Sequence, residues 1–539
     1  MNNTPERLAV VDSIDFLQQR DHDKPISWTG FRIDYALLGY HHPFVRSIAM
    51  QVRVSSPTRL SLASTVALLT WLLATSPLPA GDPIDEIFQS RFSEVIEPLF
   101  PLINGEYVLP SHPVTDQLAW IIDELNANET TTLAEIQARF TTGFDQPGLV
   151  SFFNDVLRPA WPNARIVDIL GISPVQATVV IEGDAPDAPF GFVNLRAQYS
   201  GSQLVKFFSV SNFSGSVQFP ADRNLTLTEA ADHFIGLAAS NSLFVGRIDS
   251  QGQCQPVLER SAHTPRALGS IFKTWVLAAL AERLNEGLSS PEDSIALVAA
   301  ELAAGGIIND EPLGTPFSVR DMAVLMLAVS DNTSTDHLHE LVGRGAIADQ
   351  LTNFGLSQPD LLLPFLNISE QFHVFSRFDL PTAQSYVNGT LAFREQFLVN
   401  EIIPQGPSHP INFPFFHESL LSTGTWRASA TDICRTLAGL HGLPRNSAGF
   451  EVVNQAMGYQ SAQPGIRNEW QRVWYKGGSL TSGATGNHVL THAWMLQKSG
   501  EVRPWVVVAL ANDSSGGIES GQIQSVTSRI IELIGLSAQ

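Results

Sequence analysis

The amino-acid sequence predicts an α+β protein with two folded domains. Residues 82–240 show helical periodicity followed by a run of strand-like segments, and residues 241–539 carry strand-like groups on both sides of a helical middle. A chain of 539 residues is also longer than a single domain usually is. The first domain is therefore predicted to be a curved antiparallel sheet wrapped by helices, and the second to contain a sheet with strands from both of its ends.

Within the first domain, three helices are predicted to precede four strands. Apolar periodicity predicts the helices at 113–128, 131–144 and 147–160. Segments rich in Gly, Pro and Asp separate the strands. The predicted strands are Arg165–Leu170, Ala177–Glu182, Phe190–Tyr199 and Leu204–Ser211.

The second domain is predicted to begin with a hairpin and an apolar helix and to end with strands and a closing helix. The hairpin comprises Leu243–Asp249 and Gln255–Arg260, and the helix runs from Phe272 to Glu286 before Gly287 ends it. The later strands and the closing helix are predicted at Arg472–Tyr475, Val489–Leu496, Trp505–Ala511 and Ile523–Leu533.

The composition indicates an acidic protein with ample material for cores. The hydrophobic content is 44%, and the net charge is −21 without any run of basic residues, which argues against binding to nucleic acid or to anionic membranes. Neither Cys-x-x-Cys nor His-Glu-x-x-His occurs, so no metal and no cofactor are predicted. Cys254 and Cys434 either pair or stay buried as thiols, and the sequence leaves both alternatives open.

An uncharged apolar stretch of 16 residues, 60–75, is typical of an export signal, with two arginines before it and small residues after it. We therefore predict a signal peptide or an uncleaved signal-anchor at 50–81 and a periplasmic or extracellular protein. A membrane contact is expected only through such an anchor. A buried helix of a soluble domain is the alternative. A conventional signal peptide would start at Met50, so residues 1–49 are predicted to be an over-extended N-terminus, which N-terminal sequencing would test.

Two of the chain's lysines occur in positions that suggest catalysis. The chain has only five lysines against 27 arginines. Lysine differs from arginine because a desolvated ammonium can lose its proton, whereas a guanidinium cannot. Ser270 precedes Lys273 by three residues at the start of the apolar helix, so the two are predicted to act as nucleophile and base. A second ammonium nearby, that of Lys476, would favour neutral Lys273 by like-charge repulsion.

The segment Ser330-Asp331-Asn332 supplies further polar groups between the two lysines. Ser330 is predicted to relay a proton toward a leaving nitrogen or oxygen, and Asn332 to hydrogen-bond a substrate amide. By itself the tripeptide is also typical of a helix cap or turn. The combination with a preceding Ser-x-x-Lys and a following Lys-Gly-Gly favours an active site.

The segment Lys476-Gly477-Gly478-Ser479 is predicted to bind substrate. Without a Cβ, Gly477 and Gly478 allow a strand to approach a ligand closely. The backbone N–H groups of Ser479 and Ser270 are predicted to form an oxyanion hole, in which each donor is worth about 3 kcal/mol. The Lys476 ammonium and the Ser479 hydroxyl would attract a substrate carboxylate. By itself Lys-Gly-Gly is typical of a hairpin turn.

These residues resemble the motif trio of the penicillin-recognising serine enzymes, and among them the class A β-lactamases. The resemblance covers about residues 241–539 and includes the spacing from Ser270 to Ser330. It implies a β-lactamase/transpeptidase-like domain, with an antiparallel sheet flanked by helices. It also implies that Ser270 is acylated with Lys273 as base, that Ser330 and Asn332 line the cleft, and that Lys476 and Ser479 bind the carboxylate.

The sequence departs from this family at the loop that carries its deacylating glutamate. Class A enzymes have a Glu-Pro-x-Leu-Asn signature, whereas the corresponding stretch here begins Leu363-Pro364-Phe365-Leu366-Asn367. Glu370 is the nearest candidate for the missing acid, and a surface helix cap or a capping-box acid is the alternative role for it. Residues 365–426 are predicted to form an enlarged loop region over the cleft.

The chain also resembles a sub-group in which a class A-like domain follows a domain of ketosteroid-isomerase-like fold, including the cephalosporin esterase of clavulanic-acid gene clusters and mycobacterial lipoproteins. The resemblance implies a small-molecule β-lactam or ester substrate, with ester cleavage favoured over efficient β-lactam turnover. Two alternatives remain: a carboxypeptidase or transpeptidase acting on cell-wall peptides, and a non-enzyme, either a penicillin-binding sensor that stays acylated or a domain that binds another envelope protein.

Overall fold

The structure is a computed structural model that describes residues 95–185 and 189–537, all within one compact unit. The predicted export signal and the predicted over-extended N-terminus lie outside the described residues. Among residues 95–185 and 189–537, no helix is both long enough and apolar enough to cross a bilayer.

The N-terminal region has the helices-then-strands order that the sequence predicts. The helices are α1 (Pro113–Asn126), α2 (Leu133–Arg139), α3 (Gln146–Ser151), α4 (Arg158–Ala160) and α5 (Leu227–Ile235). The strands are β1 (Leu102–Ile103), β2 (Glu106–Tyr107), β3 (Arg165–Ile172), β4 (Gln176–Glu182), β5 (Phe190–Ala197) and β6 (Val205–Phe213).

Strands β3 to β6 form an antiparallel meander in chain order. Helix α2 ends at Arg139, five residues earlier than predicted, because Phe140 leaves the helix to pair with Val205 of β6. The apolar faces of α1 and the sheet share one core with Phe140 and Phe153. The likeness to a ketosteroid-isomerase-like fold stays a prediction.

The C-terminal region contains the predicted sheet with strands from both of its ends. Five antiparallel strands are ordered β13-β14-β15-β7-β8. Their bounds are β7 (Ser240–Ile248), β8 (Cys254–Arg260), β13 (Arg472–Ser482), β14 (Gly486–Gln497) and β15 (Trp505–Asn512). Short strands lie between them: β9 (Arg266–Ala267), β10 (Ser294–Ala296), β11 (Pro316–Ser318) and β12 (Arg427–Ala428). The predicted antiparallel sheet is thereby confirmed.

Helices cover this sheet. The first group is α6 (Lys273–Asn285), α7 (Val319–Ala328), α8 (Asn332–Val342), α9 (Arg344–Asn353), α10 (Ile368–Ser376), α11 (Leu380–Val387) and α12 (Leu391–Phe397). The second group is α13 (Glu418–Leu421), α14 (Ala430–His441), α15 (Ala448–Gly458), α16 (Ile466–Glu469) and α17 (Ser520–Ser537). Helix α6 is buried on nearly all sides, and a Cys254–Cys434 disulfide joins β8 to α14.

The N-terminal region packs directly on the helix that leads to Ser330. Val324 and Ala328 of α7 belong to the core of the N-terminal region. Tyr199 stacks on Phe317 with ring centroids 4.1 Å apart, and its hydroxyl donates to Asp321 Oδ2 at 2.8 Å. The N-terminal region therefore braces α7, and with it the loop that begins at Ser330.

Candidate active site

Ser270 lies in a tight 3₁₀ turn, Gly269–Phe272, that leads into α6. Gly269 has a φ of +52°, which favours glycine, and a Cβ on it would lie 2.8 Å from the Ser479 nitrogen. A Cβ on Gly478 would likewise lie 2.6 Å from the Ser270 nitrogen. Two glycines thus let the turn and strand β13 touch, which brings the backbone N–H groups of Ser270 and Ser479 to neighbouring positions.

Lys273 is fully buried and reaches the Ser-Asp-Asn segment. Its Nζ donates to the Ser330 carbonyl oxygen at 2.5 Å, to Ser330 Oγ at 3.1 Å and to Asn332 Oδ1 at 2.7 Å. A buried ammonium is costly unless it is hydrogen-bonded, and these three acceptors meet that need.

Ser330 joins the two lysines. Its Oγ accepts from Lys476 Nζ at 2.8 Å as well as from Lys273, and only 2% of the residue is exposed. Its φ is +59°, a left-handed conformation that costs a non-glycine residue on the order of 1 kcal/mol. The structure therefore holds this hydroxyl in a strained, water-poor position between two cationic groups.

Asp331 fixes the strained segment, a role that the sequence interpretation missed. Its buried carboxylate caps α8 by accepting from the Ser334 nitrogen at 2.5 Å. The other oxygen accepts from the backbone nitrogens of Ile307 and Ile308. The helix-cap interpretation of the tripeptide and the active-site interpretation both hold, because Asp331 supplies the cap while its neighbours face the lysines.

Asn332 is used by the protein itself. Its Oδ1 accepts from Lys273, and its Nδ2 donates to the Ala304 carbonyl oxygen at 2.8 Å. The amide thereby positions Lys273 and ties α8 to the segment around Ala304. Hydrogen bonding to a substrate amide would have to use what these two contacts leave.

Lys476, Gly477, Gly478 and Ser479 lie inside β13, which runs to Ser482 rather than ending at Tyr475 as predicted. Strand β13 is at the edge of the sheet, and its Lys476 is buried.

Gly477 makes room for the protein's own groups, since a Cβ there would collide with the Tyr475 hydroxyl. That hydroxyl hydrogen-bonds His492 Nδ1 at 2.8 Å. Burial and then the charge of Lys476 lower the pKa of His492 to about 4, so His492 is neutral at neutral pH.

Glu370 lies in a capping box at the start of α10. Its Oε2 accepts from the Asn367 nitrogen at 2.8 Å, and its Oε1 accepts from Arg344 Nη2 at 2.7 Å. The geometry corresponds to the capping-box alternative, although the side chain is buried rather than on the surface. Both carboxylate oxygens are engaged away from the lysines, so the structure does not bring Glu370 together with the other candidates.

The structure thus brings Lys273, Ser330, Asn332 and Lys476 into one buried hydrogen-bonded cluster. The close contacts of Gly269 and Gly478 place the Ser270 turn beside Ser479. Among the described residues, no group of three or more His, Cys, Asp or Glu side chains could hold a metal ion. The arrangement provides a hydroxyl, two ammonium groups, a bridging hydroxyl and two backbone donors, which are the components of acyl transfer to a serine.

This combination of sheet and site corresponds to a known class, because the family model described as the beta-lactamase enzyme family matches residues 236–386. That range is 151 of the 539 residues. It contains Ser270, Lys273, Ser330 and Asn332. Lys476 lies outside it.

Solved structures that resemble the chain include a beta-lactamase from Chitinophaga pinensis, with 15% identity and a TM-score of 0.40 over 58% of this chain and 98% of that chain. A beta lactamase from Xanthomonas campestris has 14% identity and a TM-score of 0.38 over 58% and 97%. An ancestral class A beta-lactamase has 16% identity and a TM-score of 0.38 over 58% and 100%. No protein with a curated description matches the chain.

Proposed function

We propose that the protein is an exported serine hydrolase that forms an acyl-enzyme on Ser270 and acts on a β-lactam or a related ester. The observation that carries this proposal is the Ser330 hydroxyl, which accepts from both Lys273 and Lys476 within a buried site. The Cys254–Cys434 disulfide supports export, since disulfides persist in oxidising compartments.

In the proposed acylation, the Ser270 oxygen attacks the substrate carbonyl carbon while its proton passes to neutral Lys273. The backbone N–H groups of Ser270 and Ser479 stabilise the oxyanion. The proton then moves from Lys273 through the Ser330 hydroxyl to the leaving nitrogen or oxygen, whose bond to the carbonyl carbon breaks. The charge of Lys476 attracts a carboxylate on the substrate.

The release step lacks the carboxylate base that the resemblance would supply. A leucine, Leu363, stands first in the stretch that corresponds to the glutamate signature, and both oxygens of Glu370 are engaged. Water attack on the acyl-enzyme would then depend on Lys273, which is neutral again once its proton has left. Esters suit such a site better than β-lactams, because an ester's alcohol departs whereas the amine of an opened lactam stays attached beside the acyl bond.

The same observation favours a second candidate, a penicillin-binding protein that acylates and releases slowly. Both candidates share the acylation chemistry and differ only in the lifetime of the acyl-enzyme. A cell-wall carboxypeptidase would share it too and would be recognised by its peptide substrate.

The decisive experiment combines intact-mass measurement after benzylpenicillin with turnover of p-nitrophenyl acetate, a chromogenic cephalosporin and a peptide ending in D-Ala-D-Ala. We expect an adduct of one penicillin mass, ester turnover, and slow colour release from the cephalosporin. Rapid cephalosporin turnover would indicate an efficient β-lactamase, and peptide cleavage would indicate the carboxypeptidase.

Ser270→Ala should abolish the adduct and lower ester turnover by at least ~10³-fold. Ser202→Ala is the matched control, because Ser202 is exposed in a loop of the N-terminal region. Retention of full activity by the Ser270 variant would contradict every acyl-enzyme version of the proposal.

A further inference from the structure

A recess lies beside the Ser270 turn, in the enlarged loop region. It encloses about 400 Å³ including its open mouth. Three segments build it: residues 361–366, helices α11 and α12, and residues 423–427. Its apolar wall is formed by Leu361, Leu363, Leu366, Tyr386, Val387 and Trp426.

Two arginines, Arg394 and Arg427, line the same recess without an acidic partner. The side chain of Arg427 makes no hydrogen bond and no ion pair with any described residue, and that of Arg394 donates only to the Asp360 carbonyl oxygen at 2.8 Å. Burial and then the charge of Arg394 lower the pKa of Arg427. Two half-buried guanidinium groups that repel each other are costly unless an anion compensates them.

Buried polar atoms without partners also line the recess. Arg394 Nε is shielded from solvent and has no hydrogen-bond partner among the described residues, and the same holds for Thr425 Oγ1. Thr425 is 93% buried, with 7% exposed. Such atoms are rare in folded proteins, and a ligand is one of the few ways to satisfy them.

Comparable half-buried arginines elsewhere in the described chain do have acidic partners. Arg344 pairs with Glu370 at 2.7 Å, and Arg158 pairs with Glu124 at 2.6 Å. The pair in the recess therefore differs from the protein's ordinary use of arginine.

We propose that this recess binds the carboxylate of a small organic acid, with Arg394, Arg427 and Thr425 holding the oxygens and the apolar wall holding the remainder. A planar carboxylate accepts paired hydrogen bonds from guanidinium groups, and an apolar wall prefers an organic anion to a fully hydrated one such as phosphate. The proposal does not depend on the acyl chemistry proposed for Ser270.

Occupancy of the recess would be felt at the Ser270 turn. Trp426, which lines the recess, stacks on Phe272 with ring centroids 3.7 Å apart and donates from Nε1 to the Leu366 carbonyl oxygen at 3.1 Å. Phe272 belongs to the turn that carries Ser270. The recess and the candidate nucleophile thus share one packed wall.

Calorimetric titration of the purified full chain with benzoate tests the proposal, with benzamide as the neutral isostere and inorganic phosphate as the hydrated anion. We expect benzoate to bind with a Kd below about 1 mM, and benzamide and phosphate to bind at least ~10-fold more weakly. Absence of benzoate binding, or equal binding of benzamide, would overturn the proposal. Binding of phosphate as tight as that of benzoate would overturn its organic part.

Variants assign the binding to the recess. Arg427→Gln and Arg394→Gln should each weaken benzoate binding about 10-fold, whereas Arg503→Gln, at an exposed arginine, should leave it unchanged. Thr425→Val, which keeps the side-chain shape, should weaken it by a smaller factor, so the site remains testable if an arginine variant fails to fold. Unchanged benzoate affinity in folded Arg427→Gln and Thr425→Val proteins would show that benzoate binds elsewhere.

Discussion

The two sides of the Ser270 turn differ in what their polar groups are used for. On the side of the lysines, the Ser330 hydroxyl and the Asn332 amide point to Lys273, and Ser330 also contacts Lys476. On the side of the enlarged loop, the one candidate acid, Glu370, is consumed by a helix cap and by Arg344. The comparison teaches that attack on a carbonyl is prepared in this structure, whereas release of the acyl group is left without a carboxylate base.

The strongest way to break the lysine side is to remove the bridging hydroxyl. Ser330→Gly should slow acylation by benzylpenicillin about 100-fold, because no other group joins the two ammoniums. Glycine tolerates the φ of +59°, so its thermal stability should match or exceed that of the unmodified protein, whereas Ser330→Ala should be about as slow but less stable. Mass spectrometry over time and thermal melts measure the two quantities. Acylation at the original rate in the glycine variant would exclude Ser330 from proton transfer.

Acid should weaken the loop side through His339. This buried residue of α8 contacts the Phe365 carbonyl oxygen, and burial, followed by the charge of Arg344, lowers its pKa to about 3. A lowered histidine pKa means that its stabilising contribution is complete above about pH 6.5 and is lost as pH falls toward 3. At pH 4.5 the loss is about 2 kcal/mol.

Chemical denaturation of His339→Gln measures this contribution. The free energy of unfolding should fall less between pH 7 and pH 4.5 in the variant than in the unmodified protein, by about 2 kcal/mol. Equal falls in both proteins would show that His339 does not report on acid sensitivity.

A carboxylate introduced on the loop side sharpens the comparison. Leu363→Glu restores an acid at the first position of the resembling signature, so we expect release of the penicilloyl group to be about 10-fold faster than in Leu363→Gln. The decay of the adduct mass measures it. Equal decay in both variants would show that position 363 does not reach the acyl bond.

The smallest expected effect is that of Glu370→Gln. Glutamine keeps the capping box but loses the ion pair with Arg344, which should cost about 1 kcal/mol of unfolding free energy. Adduct decay should be unchanged, and Glu395→Gln, at an exposed acid, serves as the control for both measurements. A large drop in the decay rate would make Glu370 the base after all.

Local spacing was sufficient for much of the fold and part of the site. The three-residue separation of Ser270 and Lys273 and the strand groups at both ends of the C-terminal region could be read directly, because they depend on helix and strand periodicity. The pairing of Cys254 with Cys434 could not be read, since it joins residues 180 positions apart.

The roles of the polar side chains required the packed chain. Arg344 captures Glu370 from 26 residues away, and Ala304 engages Asn332 from 28 residues away. The recess with Arg394 and Arg427 is assembled from three separate segments. The sequence by itself determined which reactive groups exist and which elements carry them. The tertiary structure alone decided which of those groups face one another and which are already satisfied, because a buried polar group takes whichever partner the packing of distant segments places within hydrogen-bond distance.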